Sequence, residues 1–162
     1  MEILSNIHWI EGINAHSYIV NGDHITIIDT GMPGNEGKIL NYVKNVLNRE
    51  PEDIKTIVIT HYHLDHTGSL KELKNATNAK IAIHKDDADY ISGKQIAPGP
   101  FYLRFATKLM LLFTSYSNVE PDILLNEEDI VDGYRVIQTP GHTPGSITLY
   151  NPDNGVIFVG EH

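Results

Sequence analysis

"THYHLDHTGS", residues 60–69, follows directly on the apolar run Ile57-Val58-Ile59 and places three histidines and an aspartate within six positions. A short run of β-branched residues reads as a buried strand. A strand that ends in a polar loop is where α/β folds present their chemistry. His61 and His63 are separated by one residue, so one tight turn can aim both imidazoles at a common point, and neutral imidazole is a ready zinc ligand. Asp65 and His66 follow at once, suited to a second metal or to orienting the first ligands. Upstream, Asp29 closes the strand-like "ITIID" at 25–29. It is a candidate acceptor for the ring nitrogen that a ligating histidine turns away from its metal.

A second signal lies far along the chain. "TPGHTPGS", residues 139–146, sets His142 between two Pro-Gly steps on a loop joining two strand-like segments. Glycine permits close backbone approach and proline stiffens it. Such a loop is a costly way to present a histidine unless its direction matters.

The remaining segments frame these two signals. At the N-terminal end "NIHWI", "SYIVN" and "HITIID" read as short strands, the last two joined by the turn "NGD" at 21–23. "DTGMPGNEG" is a loop, and Ile39, Val43, Val46 and Leu47 recur at helical spacing over 36–48, with Pro51 as the stop. "IKTIVIT" is the strand that enters the histidine cluster. "TGSLKELKN" suggests a short helix, "KIAIH" a strand and "KDDADYI" a helical turn. Residues 94–121, with Pro98, Pro100 and Pro121 around "FYLRFATKLMLLF" (101–113), read as an excursion from the sheet framework with a helix inside it. "GYRVIQT", "SITLY" and "GVIFVG" return to strands, giving a mixed α/β chain.

Size and charge narrow the function classes. A chain of 162 residues suits one domain, 1–162, with a core of its own. Twelve basic against 21 acidic residues, net −9, argue against nucleic acid as the main partner. The absence of cysteine excludes disulfides, thiolate nucleophiles and cysteine-ligated zinc. The 101–113 stretch is too short, and with Arg104 and Lys108 too charged, to span a membrane. No basic leader precedes an apolar run after Met1, so the expected location is cytoplasmic and the expected partner a small molecule. His8, His16, His24 and His84 belong to no ligand-spaced pair and read as strand-edge or loop histidines.

"THYHLDH", with "PGHTPGS" about eighty residues later and "IIDTG" upstream, resembles the metallo-β-lactamase fold superfamily of metal-dependent hydrolases, closer to its glyoxalase II-like and lactonase-like branches. The resemblance implies an αββα sandwich whose C-terminal layer is incomplete here. It implies a first metal site at His61, His63 and His142, and a second at Asp65 and His66, with Asp65 also the catalytic residue. Glu161, in "FVGEH", stands where the family has a bridging Asp. The family's last histidine ligand has no counterpart. The implied cofactor is zinc, one ion or two, with iron as the alternative. The implied reaction is hydrolysis of an ester, thioester or lactone. The alternatives are an iron-dependent persulfide dioxygenase and a metal-binding module without activity. The last three strands have no helical pattern to cover their second face. A chain shortened relative to the family is the expectation, and a homo-oligomer covering that face is the alternative.

Overall fold

The computed structural model describes residues 1–11, 16–96, 98 and 118–161. Of the 94–121 excursion in which a helix is expected, residues 97 and 99–117 lie outside them. Short N-terminal strands meander: β1 (Glu2–Leu4), β2 (Ile7–Trp9), β3 (Tyr18–Asn21) and β4 (Ile25–Ile28) pair antiparallel in chain order. The expected "NGD" turn joins β3 to β4. From β4 the chain crosses over through α1 (Glu36–Asn45) to β5 (Ile54–Ile59), which lies parallel to β4. Two further helices, α2 (Leu64–Thr67) and α3 (Leu70–Thr77), lead to β6 (Lys80–His84), again parallel. After α4 (Lys85–Ile91), β7 (Ile123–Leu125) closes a seven-stranded sheet in sequential order. A second, antiparallel sheet has the order β11-β10-β9-β8, built from β8 (Ile130–Val131), β9 (Tyr134–Gln138), β10 (Ile147–Asn151) and β11 (Val156–Val159).

Alternation along the central strands explains the layering. Side chains on a strand point to opposite faces in turn. Ile25 and Ile27 of β4, Ile57 and Ile59 of β5, and Ile81 and Ile83 of β6 all enter a core shared with Ile39 and Val43 of α1 and Leu70 and Leu73 of α3. Their neighbours Ile28, Val58 and Ala82 enter a second core, against Val136, Ile147, Leu149 and Phe158 of the other sheet. Strands buried on both faces carry unbroken apolar runs. "IVI" before the histidines is one. The result is helices, large sheet and small sheet in three layers, the α/β/β part of the expected sandwich. Outward from the small sheet point Ile157 and Val159, with the Arg135 guanidinium over the Tyr150 ring at 5.7 Å. Among the described residues no helix is long and apolar enough to cross a membrane.

Two details differ from the sequence reading. Helix α1 ends at Asn45 rather than 48: Val46 is an exposed cap, and Asn48 takes a left-handed φ of 53° before Pro51. Apolar spacing carried the expectation past a turn that asparagine tolerates. Strands β7 and β8, of three and two residues, went unread because so short a run shows no period.

Away from the site, Asp132 ties the sheets together. It sits in the tight turn after β8 and accepts from Thr26 Oγ1 on β4 (2.6 Å) and from His24 Nε2 (3.1 Å), with Thr56 on β5 a further donor. Burial disfavours the charge, but these three bonds outweigh it and hold the carboxyl below its usual range. A depressed carboxyl stabilises the fold above its unfolded value, and that contribution fades as pH falls through the folded one. Asp132→Asn is expected to cost about 1–3 kcal/mol at pH 7, read by chemical denaturation. The difference from wild type should shrink below about pH 4.

Candidate metal centre

The ends of β4 and β5 lie side by side, so the loops leaving them meet. Asp29 follows β4 in a left-handed conformation (φ 59°), and its backbone N–H donates to the Val58 carbonyl at 2.9 Å. The Asp29 side chain turns under the histidine loop. Oδ1 accepts from the Thr60 backbone N–H (2.8 Å); Oδ2 accepts from Thr60 Oγ1 (2.7 Å) and from His66 Nδ1 (2.8 Å). Asp29 was expected to orient a ligating histidine, and its direct partner is His66.

Its reach extends one residue further. The Thr60 hydroxyl donates to Asp29, so at 3.2 Å it is left to accept from His61 Nδ1–H. One carboxylate therefore fixes the tautomer of two imidazoles, directly for His66 and through Thr60 for His61. In both rings Nε2 is left with its lone pair. Both Nε2 atoms are buried and meet no hydrogen-bond partner among the described residues. A buried bare acceptor costs free energy unless something occupies it. A cation fits that requirement.

Helix α2 is held in register by the loop after Asp29. Thr30 N–H and Oγ1 both donate to the His66 carbonyl, and Gly68 N–H donates to the Gly31 carbonyl (2.9 Å). A Cβ on Gly68 would lie 2.3 Å from Pro33 N, so only glycine permits this approach. Across the sandwich, Ile147 N–H donates to the Thr60 carbonyl at 3.0 Å, which docks the β9–β10 loop onto the end of β5.

The docking brings His142 to His63. His142 Nε2 lies 2.8 Å from His63 Nδ1 although the residues are 79 apart in sequence. Ring centroids are 5.0 Å apart for His61 and His63, 4.8 Å for His61 and His142, and 4.5 Å for His63 and His142. One ring nitrogen from each lies within 4.8 Å of the others. Asp65, His66 and Glu161 form a second such group. His66 Nε2 is 3.6 Å from Asp65 Oδ2 and 3.8 Å from Glu161 Oε1, while Glu161 Oε2 lies 3.2 Å from His142 Nε2. Glu161 thus turns one oxygen towards each group. All six sequence-predicted residues are brought together.

The two groups differ electrostatically. Burial, reinforced by the rings of His66, His63 and His142, pushes the His61 imidazole down to about 3. His63 is pushed down chiefly by burial and by His142. Burial also opposes charge on His66, but the hydrogen bond and charge of Asp29, joined by Asp65 and Glu161, raise it above the ordinary value.

Sequence reading missed three participants. Thr60 relays Asp29 to His61, and nothing in its residue type signals that. His16, read as a loop histidine, lines a cavity of about 210 Å³ beside Asp65, His66 and Glu161, together with Tyr18 and Phe158. Asp87, read only as part of a helical turn, is fully buried and accepts from Tyr62 N–H, Thr143 Oγ1 and Gly145 N–H. The other lone histidines are structural. His8 bonds Tyr42, His24 bonds Asp132, and His84 Nδ1 caps α4 through Asp86 N–H.

Comparison with known proteins agrees with this architecture. The family model of the metallo-beta-lactamase superfamily matches residues 11–162. The chain is 30% identical to a probable metallo-hydrolase, YflN of Bacillus subtilis, over 98% of its own length and 60% of that relative's. It is 27% identical to a hydroxyacylglutathione hydrolase of Bartonella henselae, over 75% of this chain and 39% of that one. BJP-1, a subclass B3 metallo-beta-lactamase of Bradyrhizobium japonicum, superposes with a TM-score of 0.77 at 24% identity, covering 100% of this chain and 57% of that one. The chain belongs to the metallo-beta-lactamase superfamily, and spans about three fifths of the length of YflN.

A proton and a metal compete for the same Nε2 lone pair. The raised His66 takes up its proton at higher pH than the depressed His61. A divalent ion held by His61, His63 and His142 would therefore survive to lower pH than one held by Asp65, His66 and Glu161. Equilibrium dialysis between pH 8 and 5 should show the stoichiometry falling in two stages. Simultaneous loss would contradict the assignment.

Proposed function

We propose that this chain holds one or two divalent metal ions, zinc before iron, and hydrolyses the acyl bond of a small ester, thioester or lactone. The observation that carries the reading is the pair of buried Nε2 atoms of His61 and His66, without a hydrogen-bond partner among the described residues, each with its other nitrogen already engaged. His61, His63 and His142 would hold the first ion; Asp65, His66 and Glu161 would hold the second, with Glu161 reaching both. A bound divalent ion would supply Lewis acidity, lowering the pKa of a coordinated water towards neutrality and polarising the acyl oxygen.

The chain's own residues supply the rest. Asp65, at the mouth of the centre, is placed to orient the attacking water and to accept its proton at a carboxylate oxygen. Ile28 and Phe158 give the adjoining cavity an apolar wall that would exclude bulk water from the acyl group. Burial first, and Asp29 second, push the Tyr18 phenol up, so it stays a neutral hydrogen-bond donor on that wall. At about 210 Å³ the cavity is below the usual range for drug-sized ligands, which favours a small acyl group. The likeness to a hydroxyacylglutathione hydrolase supports the same bond class.

The test is a substrate panel on zinc-loaded protein: an aryl ester, an acyl thioester, a γ-lactone and a phosphodiester. Turnover of acyl substrates is expected, with Asp65→Asn lowering kcat about 10²- to 10⁴-fold and His61→Ala losing metal and activity together. Phosphodiester cleavage without acyl turnover, or oxygen uptake on a persulfide by iron-loaded protein, would overturn the reading.

A further inference from the structure

Asp87 stands apart from every group assigned above. It touches no candidate ligand atom, yet it is completely buried and its two oxygens are fully used. Oδ2 accepts from the Tyr62 backbone N–H at 3.0 Å and from the Thr143 hydroxyl at 2.7 Å. Oδ1 accepts from the Gly145 backbone N–H at 2.7 Å. Tyr62 lies between His61 and His63; Thr143 follows His142 directly. A single carboxylate oxygen therefore bridges the loop that carries two of the convergent imidazoles and the loop that carries the third.

The surroundings are shaped for this contact. His84 caps α4 and so sets the turn from which Asp87 projects. The Thr143 hydroxyl, having donated to Asp87, accepts from Ser146 Oγ at 2.8 Å, and Ser146 Oγ in turn accepts from Thr143 N–H at 3.1 Å. Gly145 is pressed against the helix: a Cβ there would lie 2.7 Å from both the backbone nitrogen and Oδ1 of Asp87. The second Pro-Gly step of "TPGHTPGS" is explained by that approach. The flanking glycine makes room for a carboxylate that no sequence signal connected with the histidines.

We propose that Asp87 is a positioning residue for the metal centre: its carboxylate clamps the His61–His63 loop to the His142 loop and sets the separation of the three imidazoles. This rests on the metal reading proposed above. Coordination demands it, because zinc–nitrogen bonds of about 2.0–2.1 Å leave little slack in where each ring sits. Partners that orient ligands without touching the metal characteristically govern affinity about 10- to 100-fold. Asparagine cannot substitute. It offers one accepting oxygen and two N–H donors where three donors already converge, so at least one of the three bonds is lost and an amide N–H is set against a donor, which loosens the clamp.

The experiment is cobalt(II) binding to the purified protein, by chelator competition and by visible absorption of the loaded form, alongside melting of the metal-free form. Asp87→Asn is compared with wild type and with Asp132→Asn, a control at a hydrogen-bonded acid in the turn after β8, away from the centre. The expected result is a roughly 10- to 100-fold loss of cobalt affinity and an altered visible spectrum in Asp87→Asn. Asp132→Asn should melt lower while keeping wild-type affinity and spectrum. Thr143→Val, which removes one of the three bonds, carries the same test with a smaller loss should Asp87→Asn not fold. Wild-type affinity and spectrum in the variant, or an equal affinity loss in Asp132→Asn, would overturn the clamp alone. Wild-type protein that takes up no cobalt overturns the metal reading, and this inference with it.

Discussion

The carboxylate of Asp29 is the constraint on which the centre is built. It is almost fully buried, and a buried charge is tolerated only where donors surround it. Those donors are the Thr60 N–H, the Thr60 hydroxyl and the His66 ring. Satisfying Asp29 and orienting the imidazoles are therefore one event. The backbone cooperates: the left-handed turn at Asp29 is a conformation that aspartate adopts more readily than most residues, and it directs the side chain beneath the β5 loop. Ser17 Oγ, donating to the Asp29 carbonyl at 2.7 Å, secures the same turn from the residue just before β3.

Around this fixed point the sandwich works as a frame. Parallel pairing of β4 with β5 places Asp29 beside Thr60, and period-2 alternation sends one row of isoleucines to the helices and the other row to the second sheet. The second core, with Val136, Leu149 and Phe158 facing Ile28 and Val58, sets the spacing of the sheets. Interiors pack too densely to slide, so the β9–β10 loop and the end of β11 arrive at the first sheet's loops in one arrangement. His142 and Glu161 are carried there by packing far from either residue.

The two ligand groups that result are unlike. Imidazoles alone make up one, with His61 buried and held far from protonation. Carboxylates share the other with a histidine that leans towards its charged form. Nitrogen donors suit zinc, and oxygen donors tolerate a wider range of ions. Glu161 stands between them with an oxygen on each side, where its longer side chain gives more freedom than an aspartate would have.

Much of this was legible in the chain itself. "IVI" followed by "THYHLDH" announces a doubly buried strand ending in candidate ligands, because local apolar runs and close histidine spacing are encoded within a few residues. "PGHTPGS" announced a directed histidine for the same reason, while Glu161 was expected only from the resemblance, at the place where the family has a bridging aspartate. The strands β7 and β8, the early end of α1, the relay through Thr60 and the buried Asp87 were not legible. Each depends on partners distant in sequence, and an aspartate in "KDDADYI" looks the same whether it faces water or three buried donors. Sequence thus determined which histidines and carboxylates are candidates and which strands present them. Only the tertiary structure decided which nitrogen of each ring is free, because that choice is made by hydrogen-bond donors and acceptors brought together from separate segments of the chain.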